Sequence, residues 1–365
     1  MFQEPLPSEY TALTPEETRA RIRAAKTALG ERLVILGHHY QRDEIIEHAD
    51  FRGDSFKLAQ YAARKPDAEY IVFCGVHFMA ESADILTPES QVVILPNLAA
   101  GCSMADMAGL FQVKSCWKAL GETLGQAVES VIPVTYINSA ANLKAFVGEH
   151  GGTVCTSSNA PTAVKWALDQ GEKVLFFPDQ HLGRNTGVKL GFDPDADMCV
   201  WDPSKPLGGN TAENLHASRF ILWKGHCSVH ARFTVEQIAK ARAEHPDVKV
   251  IVHPECELDV VRASDFNGST EGIIKAIASA EAGTVWAVGT EINLVNRLSQ
   301  EHPDKTIFCL DPQVCPCSTM YRIHPSFLCW TLENLASGKA VNVVKVPEAV
   351  AAPARLALER MLTLR

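Results

Sequence analysis

Short apolar, β-branched runs alternate with helical stretches along the whole chain. RLVILGHHY, EYIVFCGV, SQVVILPN, ESVIPVTYI, KVLFFPD, FILWKGH, DVKVIVHPE, AGTVWAVGT and DKTIFCLD read as strands. Strands separated by helices build parallel sheets from βαβ units. Each run ends in polar or small residues: GHHYQ, CGVHFMAES, YINS, PDQH, GHCSVH, HPECE and GTE. Ligands of open α/β sheets bind at the carboxyl ends of the strands, so these tips are the expected wall of an active site.

The nine strands fall into three groups of three, each followed by a cysteine-bearing turn: GCSMAD at Cys102, GHCSVH at Cys227, and CPCSTM at Cys315 and Cys317. The interval from Cys102 to Cys227 is 125 residues and that from Cys227 to Cys317 is 90. An insertion in the second unit accounts for the difference, and GRNTGVKLGFDPDADMCVWDPSKPLGGN reads there as a loop rich in Gly, Pro and Asp. The expectation is an α/β chain of three quasi-equivalent αβα domains, related by pseudo-three-fold symmetry around a central active site. Residues 1–108 form the first, with the segment 325–365 packing on it; 109–235 form the second, with a loop insert at about 184–214; 236–324 form the third.

At 365 residues, 46% hydrophobic and 21% charged, the chain has a globular composition with room for two or three domains. No segment reaches the roughly 20 unbroken apolar residues that span a bilayer, so no membrane partner is expected. A net charge of −9 argues against a nucleic-acid surface, which needs clustered Lys and Arg. The opening MFQEPLPSEYTALTPEETRARIRAAK lacks the basic-then-apolar order of a signal peptide, so a reducing, cytoplasmic location is expected. There, eleven cysteines point to metal binding or catalysis rather than to disulfides.

No CxxC pair or compact ferredoxin-like run occurs, so a metal centre must draw thiolates from distant segments. Cys74, Cys309 and Cys329 lie inside apolar runs and read as small buried hydrophobes. Cys116, Cys155 and Cys199 are undecided. Cys102, Cys227 and Cys317 each follow a strand in a turn with Gly, Ser or Pro, where three thiolates can face one centre; spacing alone does not separate an iron–sulfur cluster from zinc. Cys315 stands as a second thiol beside Cys317, with Cys256 as a partner under oxidising conditions.

GHHYQ puts His38 and Tyr40 two residues apart at a strand tip, and HPECE does the same with His253 and Glu255. In extended chain, residues i and i+2 share a face, so each pair is expected to point into one pocket. A Glu beside a His suits general acid–base work. GDS at Ser55, CTSSN at Ser157 and Ser158, and NGSTEG at Ser269 and Thr270 each precede a helical stretch. Such residues are ordinary helix caps, but one per unit suggests an anionic substrate with several oxygens.

Together these motifs resemble quinolinate synthase, from GHHYQ near residue 38 through CPCSTM near residue 317. The resemblance implies an enzyme of NAD biosynthesis that condenses iminoaspartate with dihydroxyacetone phosphate. It also implies one 4Fe-4S cluster, held by Cys102 in PNLAAGCSMAD, Cys227 in KGHCSVHARF and Cys317 in CPCSTM. Cys317 is preferred over Cys315 because the family's third ligand resembles a Cys followed three residues later by Met, as Met320 follows Cys317. Similarity carries substrate roles onto His38, Tyr40, Ser55, Tyr136, Asn138, Ser157, His253, Glu255 and Thr270. Among them, Glu255, His253 and Tyr40 are the expected catalytic groups. Functional coupling to an aspartate-oxidising enzyme follows from the same kinship. The insert and the CPC doublet depart from shorter members of the family. Rival readings are another iron–sulfur hydro-lyase, a zinc-dependent aldolase and, outside enzymes, an iron–sulfur sensor or carrier.

Overall fold

A computed structural model describes residues 3–64, 67–311, 313 and 316–364. All nine runs read as strands are strands. The first sheet contains β1 (Leu33–His38), β2 (Phe51–Gly53), β3 (Tyr70–Cys74) and β4 (Val92–Ile94), in the order β2-β1-β3-β4. The second contains β5 (Val131–Tyr136), β6 (Thr153–Cys155), β7 (Lys173–Phe177), β8 (Met198–Trp201) and β9 (Phe220–Trp223), in the order β6-β5-β7-β9-β8. The third contains β10 (Lys249–Val252), β11 (Phe266–Asn267), β12 (Val285–Gly289) and β13 (Thr306–Cys309), in the order β11-β10-β12-β13. Every one of these pairings is parallel. β14 (Val343–Val344) adds an antiparallel edge beside β4.

The chain is therefore an α/β protein of three αβα units; β2-β1-β3-β4, β6-β5-β7-β9 and β11-β10-β12-β13 follow one order, and β8 is an extra edge strand beside β9 in the second sheet. β1, β3, β5 and β7 are buried along their whole length, as parallel strands covered on both faces must be. The five strands that the hydrophobic pattern does not announce, β2, β6, β8, β11 and β14, all lie at sheet edges and span two to four residues. Short edges leave little apolar surface to read and little unpaired backbone for another chain to join.

The chain divides into two compact units. One comprises Met1–Cys102, Glu291–Arg297 and Cys315–Pro347 and holds the first sheet. The other comprises Ser103–Thr290, Leu298–Val314 and Glu348–Arg365 and holds the second and third. No described helix is long and apolar enough to cross a membrane.

The segment 184–214, expected as a loop, is ordered instead. It contains most of the helix Gln180–Lys189, the strand β8 and the start of the helix Ala212–Ala217. The glycines that suggest a loop serve packing. A Cβ on Gly183 would fall 2.7 Å from Leu222 and 2.8 Å from Phe176, so Gly183 and, four residues on, Gly187 let the helix lie directly on the sheet.

The end of the chain contributes to both units. The helix Pro325–Ala336 packs on the helix Pro15–Leu29 in the first unit, whereas the last helix, Glu348–Thr363, packs on Ala141–Glu149 in the second. Ala351, Ala354 and Ala357 are buried, and small residues there let the two backbones approach closely. Gly148 meets the Pro353 carbonyl at a distance that leaves no room for a Cβ. Gly148→Ala is therefore expected to destabilise the protein by about 1–3 kcal/mol despite the helix preference of Ala. Urea unfolding of the apo protein measures it, and an unchanged or raised midpoint would show that the helices can separate without cost.

Candidate active site

The strand register brings one layer of residues to the carboxyl edge of every sheet. His38 ends β1 opposite Gly53 and Tyr136 ends β5 opposite Cys155, whereas β10 stops one residue sooner, at Val252 opposite Asn267; the Gly268 N–H donates to the Val252 carbonyl at 3.1 Å and carries the same register on to His253 beside Gly268. His38, Tyr136 and His253 thus hold corresponding positions, as do Tyr40, Asn138 and Glu255 two residues later. Counted from the residues that face this layer on the neighbouring strand, Ser55, Ser157 and Thr270 each stand two positions on.

The i, i+2 pairs are built differently from the extended geometry that the sequence suggests, because β1 stops at His38 and β10 at Val252. Each pair sits in a turn closed onto its own histidine. Tyr40 N–H donates to His38 Nδ1 at 3.1 Å, and Glu255 N–H donates to His253 Nδ1 at 3.3 Å. An accepting Nδ1 assigns the proton of the neutral ring to Nε2 in both histidines.

Glu255 is fully buried between the second and third sheets of its unit. Its Oε1 accepts from the Tyr136 hydroxyl at 2.5 Å, and its Oε2 accepts from His230 Nδ1 at 2.8 Å. The His230 ring stacks on His253 with centroids 4.3 Å apart, and its Nε2 lies 3.1 Å from the Thr290 hydroxyl. Burial by itself favours protonation of Glu255, but the imidazoles of His253 and His230 and the bonds from His230 and Tyr136 outweigh it. Burial also drives the His253 pKa down to about 3. His253 is therefore neutral near pH 7, and Glu255 is held as a carboxylate by the neighbouring His230 imidazole and the hydrogen bonds from His230 and Tyr136. The result is a buried base tied to a phenol and an imidazole, an arrangement suited to proton transfer.

The hydroxyl turns are only partly consumed as caps. Asp54 caps the helix Ser55–Ala63, and Ser269 caps Thr270–Ala278, so the cap bonds are made by the residues before Ser55 and Thr270. In the second unit Ser157, Ser158, Lys189, Pro254 and Ser269 line a cavity of about 210 Å³ with Asn185. Asn185 Nδ2 donates to the carbonyls of Pro254 and Cys256, which pins the turn carrying Glu255. Its buried Oδ1 has no partner among the described residues, and neither has Oδ1 of Asn138. A lysine, serine hydroxyls and the amino ends of two helices suit a multiply oxygenated anion.

Among the described cysteines, Cys74, Cys116, Cys155, Cys199, Cys256 and Cys329 are buried, and burial pushes their thiols up. Cys102, Cys227 and Cys317 are partly exposed, as is Cys309. After each of the first three the chain takes the same path, entering a 3-10 turn three residues later at Ala105, His230 and Met320. Cys227 and Cys317 carbonyls accept from the N–H groups of Ala231 and Tyr321 at 3.0 and 2.9 Å. Accessible thiols in rigid turns fit an iron–sulfur cluster, whose ligands are thiolates. Sγ of Cys227 also lies within 4.8 Å of donor atoms of His230 and Glu255. Those two residues are hydrogen-bonded to each other, so the trio places an acid–base pair beside a thiol. Cys315, and with it the pairing with Cys256, lies outside the described residues.

Sequence reasoning missed several residues. His230 stands in the quoted CSVH, three after Cys227, and only the fold brings it to Glu255. Asp179 and Glu291 end the PDQ and GTE strand tips as buried acids. Burial, with the charge of Glu255, raises the pKa of Asp179, and burial raises that of Glu291 to about 7. Arg297 is buried in the first unit, where it donates to Asp43 at 2.7 Å and to the carbonyls of His39 and Gln41 at 2.8 and 2.6 Å. Asn293 adds a bond to the Tyr40 carbonyl at 3.3 Å. Together they clamp the loop that presents His38 and Tyr40. A sequence signal for the cysteine turns was also available: each of the three cysteines is followed by Ser.

A family model described as quinolinate synthetase A protein matches residues 20–363. The chain is 61% identical over 361 residues to a quinolinate synthase of Corynebacterium glutamicum, covering 99% of this chain and 91% of the relative. It is 58% identical to one from Herpetosiphon aurantiacus, covering 97% and 94% of the two chains, and 55% identical to one from Geobacillus thermodenitrificans, covering 98% and 96%.

The neutral state of His253 has a measurable consequence. Its folded pKa of about 3 lies below the ordinary value of 6.5, so below pH 6.5 the unfolded chain binds a proton that the folded chain refuses. The wild type then loses about 1.4 kcal/mol per pH unit from this group as pH falls. His253→Asn abolishes that loss, and its stability relative to wild type is expected to rise by about 2 kcal/mol between pH 6.5 and 5 in urea unfolding of the apo protein. Parallel curves would mean that His253 is charged in the fold.

Proposed function

This chain belongs to the quinolinate synthase family, and on that footing we infer that it condenses iminoaspartate with dihydroxyacetone phosphate to quinolinate, phosphate and two waters. The reaction is a step of NAD biosynthesis and depends on an iron–sulfur cluster. The observation that carries this reading beyond kinship is the buried Glu255 carboxylate, bonded to Tyr136 and His230 beside Cys227. Carbon–carbon bond formation, imine closure and two dehydrations all move protons, and a buried base with two bonded donors serves such steps.

Cys102, Cys227 and Cys317 would hold a 4Fe-4S cluster, each from the equivalent turn of one αβα unit, and the cluster would supply Lewis acidity there. Glu255 acts as general acid–base, with His253 ordering its turn through the Glu255 N–H and Tyr136 and His230 setting its proton affinity. Tyr40 assists proton movement in the triose, and Arg297 fixes the loop that presents it. Ser55, Ser157 and Thr270, with His38 and Asn138, bind carboxylate and phosphate oxygens and supply proximity. The recurring turn after each cysteine supports Cys317 as the third ligand. The substrate iminoaspartate is unstable, which favours coupling to an aspartate-oxidising enzyme, and the reduced thiols suit a cytoplasmic setting.

The direct test is an anaerobic assay with both substrates that scores quinolinate. Cys102→Ser, Cys227→Ser and Cys317→Ser are each expected to lose iron and turnover together. Glu255→Gln should keep its iron and lose at least about 100-fold in kcat, the range of a general acid–base. Full iron and activity in any cysteine variant would remove that residue from the ligand set, and wild-type turnover of the Gln variant would free Glu255 from proton transfer.

A further inference from the structure

The third strand ends in the same device in the second and third sheets. β7 leads through Pro178 into Asp179, whose Oδ1 caps the next helix by accepting from the N–H groups of His181 and Leu182 at 2.7 and 2.9 Å. β12 leads through Thr290 into Glu291, whose Oε2 caps its helix by accepting from Asn293 and Leu294 at 2.9 and 3.4 Å. Both acids are completely buried. A cap bond needs one oxygen of the carboxyl and gains nothing from burial, whereas a buried carboxyl is stable only if its other oxygen also finds donors.

The other oxygen of Glu291, Oε1, accepts from the Cys317 N–H at 3.3 Å and from Asn293 Nδ2 at 2.9 Å. Asp179 lacks that second contact: its Oδ2 has no partner among the described residues. By strand register the two acids are equivalents, each one position past the layer that carries Pro178 and Thr290. Their counterpart in the first sheet is Val76, next to which the His77 N–H donates to the Ala100 carbonyl at 2.8 Å. Gln180 N–H repeats that bond to Gly225 at 3.0 Å.

We propose that Glu291 is a positioning residue for Cys317, one carboxyl oxygen fixing a helix start and the other the backbone N–H of the cysteine. The inference rests on the reading of Cys317 as a cluster ligand. A ligand loop ordered in advance loses less freedom when metal binds, and outer partners of this kind typically carry about 10–100-fold of metal affinity. Glu291 touches ligand backbone, not sulfur, so its effect is on retention of the cluster.

Glu291→Gln is the informative variant. The amide keeps an oxygen for the helix cap and replaces the other with an NH₂ that cannot accept. After anaerobic reconstitution, it is expected to release iron to excess chelator about ten-fold faster than wild type, with the apo melting temperature changed little. Glu291→Ala should release it at least as fast. Thr14→Ala removes the cap of the helix Pro15–Leu29 and should lower the melting temperature without hastening release. Wild-type release from Glu291→Gln would overturn the proposal, as would release that merely follows lost melting temperature in all three variants. Cys317→Ser, run in parallel, separates the two readings. Full iron in that variant defeats the ligand assignment, whereas iron loss there with wild-type retention in Glu291→Gln defeats the positioning role alone.

Discussion

Parallel pairing decides which residues of each sheet reach the carboxyl edge together, and the site depends on that constraint. Because one strand order recurs three times, with β8 an extra edge in the second sheet, the end of each first strand, the start of the helix after each second strand and the turns after β4, β9 and β13 recur with it. The residues proposed for the chemistry sit on those ends. His38, Tyr136 and His253 differ in side chain but share a backbone address. A slip of one residue in any ladder would turn the polar tip residue toward the sheet face and a core residue toward the edge.

Within this frame the same residue type is driven to opposite states. Glu255 and Glu291 are both buried, yet Glu255 receives a phenol and an imidazole while Glu291 receives mainly backbone N–H groups and an amide. The donors to Glu255 outweigh desolvation and keep it charged; those to Glu291 do not, and its pKa rises to about 7.

Much of this was legible in the sequence, and what was not has identifiable causes. The nine long strands are nearly continuous apolar runs, because both of their faces are covered, so the pattern announces them. β2, β6, β8, β11 and β14 are too short to do so. Gly183 and Gly187 misled because glycine marks a loop and a close helix–sheet contact equally well. Among site residues, those inside a local pattern, such as His253 with Glu255, can be named from sequence. His230 and Arg297 cannot, since their partners lie 25 residues or more away along the chain. Their roles exist only after the sheets have formed.

The recurring address has one more consequence. Internal repeats often give a protein spare copies, so that damage to one is covered by another. Here the three units hold a His-Tyr-Ser set, a Tyr-Asn-Ser set and a His-Glu-Thr set at matching places, and no set duplicates another. Repetition has supplied the scaffold in triplicate and each residue set once, so no unit carries a spare copy of another's side chains.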